Sequence, residues 1–312
     1  MKTTLLLGAG FSKWAINLPV ASQLFDFNIK MFGPRENKKL LNLKKLKLEW
    51  DQSNPGKFAE EFIADALTYQ NEDKELVLWY IVRRLSEPFI WTEFHSQRFR
   101  RHTLMINENR KLKIPGIIKT QDFLKIFYNK SLSGILTTNY DLLVEYALGT
   151  NRFNYGIINQ ELVGRGAYPL ANWNKPVLLS GTVPFAKIHG SVSWDKEKYY
   201  TDGRGGITGK ALIVAPSPNK QLAKSLPNPY ELSKKILMNS TQIVVFGFAF
   251  NQYDKEILDL LREYGTNIDS VLLINIVSQT TIAQNIWPSA NITFSSPPPD
   301  GLSAIMDWQR EK

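Results

Sequence analysis

The feature that most limits how this chain can fold is a short glycine-containing turn close to its start. An apolar run, Thr4–Leu7, leads directly into Gly8-Ala9-Gly10-Phe11-Ser12. A buried strand, such a turn and then a helix is how α/β proteins hold nucleotide phosphates, because glycine lets the backbone approach and the helix N-terminus offers free N–H groups. The turn predicts a ligand site at the end of the first strand. Lys13 replaces the third glycine of the full dinucleotide fingerprint, so an ordinary strand-to-helix turn is the alternative.

Further apolar runs recur along the chain, with helical patterns between many of them. The runs are Gly134–Thr137, Ala186–Ile188, Ala211–Val214, Gln242–Phe246 and Ser270–Ile276. The helical patterns that follow strands are Ala21–Met31, Tyr140–Leu148, Asn251–Tyr264 and Thr281–Trp287. Strands that are apolar along their whole length and alternate with helices indicate a parallel sheet covered on both faces. The predicted fold class is therefore α/β, a Rossmann-like parallel sheet with helices on both faces.

The interval from residue 33 to residue 119 interrupts this alternation. It carries helical patterns at Phe58–Leu67 and Glu75–Leu85, which predict a helical insertion after the first βα unit. Two Gly-containing stretches, Asn151–Pro184 and Asp195–Gly209, are either lids or plain surface loops. We expect a single domain over residues 1–312, with regular structure ending at Ser295–Pro299.

The composition excludes several kinds of site. The chain has no cysteine, which excludes disulfides, thiolate nucleophiles, iron–sulfur clusters and cysteine-based zinc sites. Its three histidines argue against a His-rich metal site, so no metal is expected. No apolar run is long enough to cross a membrane and the start lacks a signal-peptide pattern, so the expected location is the cytoplasm.

The formal net charge is +9, and much of the excess lies in a basic, leucine-containing stretch, Arg35–Leu48. The simplest interpretation of this stretch is a solvated helix face. A second is a surface for an acidic partner protein, because leucines can be buried while lysines meet carboxylates. Nucleic-acid contact is possible but not favoured, since the stretch itself contains no aromatic residue that could stack on a base, and the next one along the chain is Trp50.

Three further polar motifs stand where predicted strands end. They are Thr137-Thr138-Asn139-Tyr140-Asp141, His189-Gly190-Ser191 and Gly247-Phe248-Ala249-Phe250-Asn251. Ligands of open parallel sheets bind outside the carboxyl ends of the strands, so these motifs and the first turn predict one shared site. Each motif alone has a simpler interpretation, because Asn139, Asp141 and Asn251 can cap helices and His189 can be a buried structural histidine.

The order of the four motifs, GAGFS, TTNYD, HGS and GFAFN, resembles the sirtuin-like family. In that family the first motif cradles the pyrophosphate of NAD, the TxNxD motif meets the nicotinamide ribose and the nicotinamide, the HG motif carries the active-site histidine, and a later glycine turn meets the adenosine part. The resemblance covers essentially the whole chain, with the insertion less well matched. It implies that the cofactor-binding residues are Gly8, Ala9, Gly10, Phe11, Ser12, Thr137, Thr138, Ser191, Gly247, Phe248 and Asn251.

The same resemblance implies that Asn139, His189 and Asp141 are the catalytic residues. Asn139 would orient the ribose or a water molecule by hydrogen bonds. His189 would act as a general base or bond a ribose hydroxyl, since the ordinary pKa of histidine lies near the working pH. Asp141 would position the nicotinamide amide or orient a neighbouring side chain.

The chain departs from protein-deacylating sirtuins in three ways. It lacks their four-cysteine zinc ribbon, it has TTNYD where they have TQN, and it has Asn17-Leu18-Pro19 where they have Gly-Ile-Pro. These departures look like the bacterial sirtuin-like effectors of antiphage defence, which hydrolyse NAD and often act in assemblies. The expected activity is therefore NAD glycohydrolysis, with NAD as substrate and no metal. The expected partners are further copies of the chain or a protein of the same defence system, with no membrane involved.

Two other functions remain open at this stage. One is a module that senses NAD or ADP-ribose without turnover, against which the retained Asn139 and His189 argue. The other is an NAD-dependent protein deacylase or ADP-ribosyltransferase, and the missing cysteines argue against the deacylase. We also expect a side chain at Gly10 to block NAD while shifting the melting temperature only modestly.

Overall fold

The computed structural model describes residues 2–28, 34–69, 72–94, 115–128, 132–148, 153–156, 183–194, 211–214, 221–298 and 302–310. Within these residues, seven strands form one parallel sheet in the order β3-β4-β2-β1-β7-β8-β9. Its strands are β1 (Thr3–Leu7), β2 (Leu132–Thr137), β3 (Phe153–Asn154), β4 (Val183–Lys187), β7 (Gln242–Phe246), β8 (Ser270–Ile274) and β9 (Asn291–Ser295). Two short strands, β5 (Gly190–Ser191) and β6 (Leu212–Ile213), pair antiparallel in a separate sheet.

Helices lie on both faces of the large sheet, which confirms the predicted α/β, Rossmann-like fold class. They are α1 (Ala9–Ile16), α2 (Pro34–Ser53), α3 (Ala59–Thr68), α4 (Glu72–Phe94), α5 (Pro115–Tyr128), α6 (Leu143–Leu148), α7 (Leu222–Ser225), α8 (Pro227–Met238), α9 (Lys255–Tyr264), α10 (Thr280–Ile286) and α11 (Ser303–Arg310). None of these helices combines the length and the apolar character that crossing a membrane requires.

The first strand shows how the sheet separates two apolar layers. All five residues of β1 are buried. Because successive side chains of a strand point to opposite faces, Leu5 and Leu7 pack with residues of α5, α6 and α11, whereas Leu6 packs with residues of α8, α9 and α10. Strands β7 and β8 are likewise fully buried, and burial on both faces explains why β1, β7 and β8 were recognisable as apolar runs.

The described part of the interval from residue 33 to residue 119 is helical. Helices α2, α3 and α4 share a third apolar core, which also contains Leu18, Leu142 and Ile213. Leu142 follows the carboxyl end of β2, so these helices cover the edge of the sheet at which the polar motifs lie. Helix α5 begins inside the interval, at Pro115, and packs against α1 and α6.

Three predictions about secondary structure are wrong. The helix after β1 begins at Ala9, and the stretch predicted as a helix at Ala21–Met31 contains a 3₁₀ turn at Ala21–Gln23. Asn17 ends α1 in a left-handed conformation with a φ of 58°, so the next turn starts separately. Within Ala211–Val214, β6 pairs with β5 and is not part of the parallel sheet. Regular structure continues beyond Ser295–Pro299 in α11, whose Trp308 is buried.

The two predicted loops fall largely outside the described residues. Of Asn151–Pro184, the structure describes residues 153–156, which include β3, and residues 183–184, which begin β4. All of Asp195–Gly209 lies outside the described residues, as do residues 29–31 of the predicted Ala21–Met31 helix.

Candidate active site

Two glycine turns meet between β1 and β7, where the order of the strands reverses along the chain. The amide of Gly10 donates a 2.9 Å hydrogen bond to the carbonyl of Gly247, and Gly247 has a φ of +64°. A Cβ on Gly10 would lie 2.7 Å from the Cα of Gly247, and one on Gly8 would lie 2.4 Å from its carbonyl oxygen. These glycines are therefore required for the contact between the two turns, at the type of crevice where open α/β sheets bind ligands.

We expect Gly10→Val to destabilise the fold, because the new side chain would collide with backbone atoms that have no rotamer to change. Overpacking of this kind costs about 1–3 kcal/mol. Thermal unfolding of the variant should therefore show a clear drop in melting temperature, in contrast to the modest shift expected from the sequence.

Ala9→Val is the matched control, since Ala9 lines the neighbouring cavity and is partly exposed. Ala9→Val should have a higher melting temperature than Gly10→Val, although its larger side chain should still obstruct a ligand in the cavity. A Gly10→Val protein with wild-type melting temperature and no NAD binding would contradict this assignment and support the original expectation.

A cavity of about 170 Å³ opens beside these turns, at the carboxyl ends of β1, β2, β4 and β7. One wall is polar and consists of side chains that follow the strands: Ser12, Thr138, Asn139, Tyr140, Asp141, His189, Asn251 and Asp254. The rest of the lining is largely apolar and is called the apolar wall; it comes from the segment after α1 and from the insertion: Leu18, Pro19, Val20, Ala21, Leu24, Ile63 and Leu85. The cavity therefore combines polar groups with apolar side chains, as small-molecule sites do.

Asn139 is tied to the first glycine turn by a chain of hydrogen bonds. Its amide nitrogen donates to the carbonyl of Gly8 and to Oγ of Ser12, both at 2.9 Å. Ser12 Oγ in turn donates to Asp141 at 2.7 Å, and the other carboxylate oxygen of Asp141 accepts from the amide of Leu143 at 2.9 Å. Asp141 therefore caps the start of α6 and also fixes Ser12. These hydrogen bonds occupy the amide nitrogen of Asn139, so its amide oxygen remains as the acceptor for a ligand or water.

His189 lies on the same polar wall, and its side chain is buried. Its Nε2 is 3.4 Å from a carboxylate oxygen of Asp254, and its ring centroid is 6.1 Å from that of Tyr140. The Tyr140 hydroxyl donates to the carbonyl of Val214 at 2.9 Å. Burial raises the pKa of Tyr140, and the nearby carboxylates of Asp254 and Glu60 raise it further. Tyr140 therefore stays neutral at physiological pH, and Asp254 is placed to orient the imidazole.

A buried ion pair supports the polar wall from behind. Lys187 Nζ lies 2.9 Å from Oε1 of Glu145, and these side chains are 1% and 2% exposed. Lys187 also donates to the backbone carbonyl of Asp141, and the Tyr155 hydroxyl donates to the same Glu145 oxygen at 2.9 Å. Burial raises the pKa of Glu145, while the ammonium of Lys187 acts in the opposite direction. The pair connects β4 to the turn that carries Asn139 and Asp141.

Most of the residues predicted from the sequence lie on the cavity. They are Ala9, Ser12, Thr138, Asn139, Asp141, His189, Gly247, Phe248 and Asn251. The remaining five are Gly8, Gly10, Phe11, Thr137 and Ser191, which do not line it. The binding and catalytic roles of all these residues, on the cavity or off it, stay predictions.

Each of those five has a local role in the fold. Gly8 and Gly10 pack on Gly247, as described above. Phe11 is buried among Phe123 and Phe246, with ring centroids 5.3 Å and 5.2 Å away. Thr137 Oγ1 donates to the carbonyl of Leu7 at 2.8 Å, and Ser191 shares a hydrogen bond with Ser193.

Sequence reasoning did not select Glu60, Tyr253 or Asp254 as site residues, although all three line the cavity. Asp254 comes shortly after Asn251, so its position after the carboxyl end of β7 could have identified it as a site residue. Glu60 comes from α3, and no local pattern connects that helix to the strand ends.

In the part of the chain that the structure describes, no group of three His, Cys, Asp or Glu side chains could hold a metal ion. The expectation of a reaction without metal stays a prediction.

Comparison with known families matches residues 133–286 to the SIR2-like domain. The matched range contains three of the four motifs, Thr137–Asp141, His189–Ser191 and Gly247–Asn251. It does not include the first glycine turn or α2 to α4. The match confirms the resemblance to the sirtuin-like family. A search of curated proteins finds no match to this chain.

Proposed function

Because this chain is a sirtuin-like protein with a SIR2-like domain over residues 133–286, we propose that it is an NAD glycohydrolase that cleaves NAD to nicotinamide and ADP-ribose. The observation that carries the proposal is the placement of Asn139 and His189 on the polar wall of the cavity, beside the point between β1 and β7 where the strand order reverses. A doubly wound sheet accommodates a dinucleotide at such a point.

The proposed reaction breaks the bond between ribose C1′ and the pyridinium nitrogen of NAD. The electron pair of that bond moves to nitrogen, so the leaving nicotinamide is neutral and needs no acid. Water adds to C1′, whose transition state has oxocarbenium character as in glycoside cleavage, and its proton passes to His189 and then to solvent. The amide oxygen of Asn139 would accept a hydrogen bond from the water or from a ribose hydroxyl.

Asp254 and Asp141 act through their neighbours in this scheme. Asp254, 3.4 Å from His189 Nε2, would orient the imidazole and stabilise it when it accepts the proton. Asp141 holds Ser12, and Ser12 holds the amide nitrogen of Asn139. The two hydrogen-bonding side chains thus have fixed positions before NAD binds, which is the condition for efficient positioning of water.

Release of nicotinamide by the purified protein tests this proposal against its alternatives. With NAD as the only added small molecule, we expect continuous release of nicotinamide together with ADP-ribose. An ADP-ribosyltransferase or a deacylase would instead require a protein or acylated peptide acceptor for release. A sensing module would bind NAD or ADP-ribose and leave NAD intact through repeated additions.

We further propose that NAD depletion in the cytoplasm of an infected bacterial cell is the biological role, and that the chain works in an assembly with itself or with an acidic partner protein. Helix α2 supports this part of the proposal. Its Leu41 and Leu48 lie seven residues apart on one face and are 65% and 58% exposed, with Lys38 and Lys45 beside them. In contrast, Lys44 lies over the ring of Phe27.

We expect the double variant Leu41→Gln, Leu48→Gln to weaken assembly, because it removes two exposed apolar side chains without changing the charge of α2. Mass photometry of the wild-type protein should show a species larger than one 35.7 kDa chain, and the variant should shift it toward that mass. Met238→Gln is the matched control, since Met238 is 49% exposed on α8. A strictly monomeric protein with full NAD cleavage would contradict the proposed assembly and leave α2 as a solvated face.

A further inference from the structure

One of the residues that line the cavity is an ionisable side chain from the helical insertion, Glu60. Glu60 lies in the first turn of α3, one turn before Ile63, which also lines the cavity. The segment after α1 adds Leu18 and Leu24 to the lining. Helix α3 lies outside the range that matches the SIR2-like domain, so this carboxylate is a feature that the insertion brings to the site.

Glu60 has no partner of opposite charge within the described residues. Its side chain is half-buried, and it makes no hydrogen bond or ion pair with any other residue in the described ranges. Its electrostatic effect is to disfavour negative charge at the hydroxyl of Tyr140, which also lines the cavity. A carboxylate beside apolar groups is stabilised when a cation approaches it, because water solvates it less well there.

From this placement, and resting on the proposed cleavage of NAD, we infer that Glu60 makes the cavity selective for the positively charged ring of oxidised NAD over the uncharged ring of NADH. The two rings have nearly the same size, so the apolar wall alone offers little basis for discrimination. A carboxylate at the edge of the wall supplies an interaction that only the oxidised ring can make. The enzyme would thereby consume NAD with little competition from NADH.

The chemistry of bond cleavage predicts which kinetic constant depends on Glu60. The positive charge leaves the ring as the electron pair moves from the C1′–N bond to nitrogen. A carboxylate beside the ring therefore stabilises bound NAD at least as much as it stabilises the transition state. Its removal should raise KM and should not lower kcat.

The test compares the wild-type protein with Glu60→Gln, using two ligands that the enzyme cannot cleave. Carbocyclic NAD keeps the charged ring, and NADH has the uncharged one. We expect Glu60→Gln to weaken binding of carbocyclic NAD about tenfold and to leave the inhibition constant of NADH unchanged. Glu75→Gln, which removes an exposed carboxylate from α4 of the same insertion, should change neither.

Three outcomes would overturn the inference, each in a distinct way. Equal weakening of both ligands would mean that Glu60 binds a hydroxyl or amide common to them. No change in either would mean that Glu60 only lines the cavity, and a lowered kcat with unchanged KM would place it at the reacting carbon. If the wild-type protein cleaves no NAD but carbocyclic NAD and NADH still bind with the predicted difference, the proposed hydrolysis fails and the charge selectivity stands.

Discussion

Replacing His189 with alanine is expected to lower NAD turnover by about 100-fold or more, the scale of a lost acid–base group. The imidazole is buried on the polar wall with Asp254 3.4 Å from its Nε2, so no described basic side chain is positioned to replace it. Asn139→Ala should have an effect of similar size, because the remaining wall has no amide at the same position. Steady-state release of nicotinamide measures both effects.

The controls separate chemistry from folding. Thermal unfolding should show that His189→Ala and Asn139→Ala remain folded at the assay temperature. Asn267→Ala removes an exposed amide that bonds the Met238 carbonyl at the far end of the sheet, and it should keep wild-type turnover. If either site variant is folded and retains wild-type turnover, that residue has no part in the mechanism.

Replacing Lys187 with methionine is expected to give the largest loss of stability, about 3–5 kcal/mol in the free energy of unfolding. The substitution removes the cation and leaves the Glu145 carboxyl, 2% exposed, without its ion-pair partner. Urea unfolding measures the loss. The variant should also lose NAD turnover, because Lys187 bonds the backbone of Asp141 beside Asn139.

The pH dependence of the stability of Lys187→Met tests whether Glu145 causes the loss of stability. Burial raises the pKa of Glu145 above its ordinary value of 4.5, and the variant lacks the ammonium that opposes this effect. As pH rises above about 5, the unfolded chain releases the proton of Glu145 while the folded chain retains it, so folding takes up a proton. The free energy of unfolding, relative to wild type, should therefore fall as the pH rises above the ordinary pKa of the carboxyl group.

A second substitution provides the control for the ion pair. Lys187→Met combined with Glu145→Gln has no buried charge, and the glutamine oxygen can still accept from the Tyr155 hydroxyl. This double variant should recover much of the lost stability and lose the additional pH dependence. A Lys187→Met protein as stable as wild type at pH 8 would contradict the account of the pair.

The strand ends were predictable because their signals are local. Strands β2, β4 and β7 contain short apolar runs, and Asn139, His189 and Gly247 follow these strands within two residues. Since the carboxyl ends of parallel strands lie at one edge, the shared cavity follows from the fold class. Helix α1 was misplaced because the glycines at its start suggested a turn of several residues, whereas the helix begins at Ala9.

The rest of the site depends on contacts between distant segments. Lys187 and Glu145 are 42 residues apart, and only the packing of α6 on the sheet brings them together. The one sequence signal was a lysine inside an otherwise apolar strand. Glu60 reaches the cavity because α3 packs over the strand ends, and the helical period of α3 gives no information about that placement. The glycine turns were interpreted differently from the sequence. Glycines after the first strand suggested that a ligand approaches the backbone there, whereas the structure shows Gly8 and Gly10 in close contact with Gly247.

The proposed hydrolysis of NAD is measured as the amount of nicotinamide released per chain when the purified protein is incubated with excess NAD. The protein concentrations should range from those that favour the single chain to those that favour the assembly. We expect many nicotinamide molecules per chain, one for each NAD consumed and each accompanied by ADP-ribose, and release at least about 100-fold slower for His189→Ala. NAD that binds to the wild-type protein and remains intact at every concentration would contradict the account.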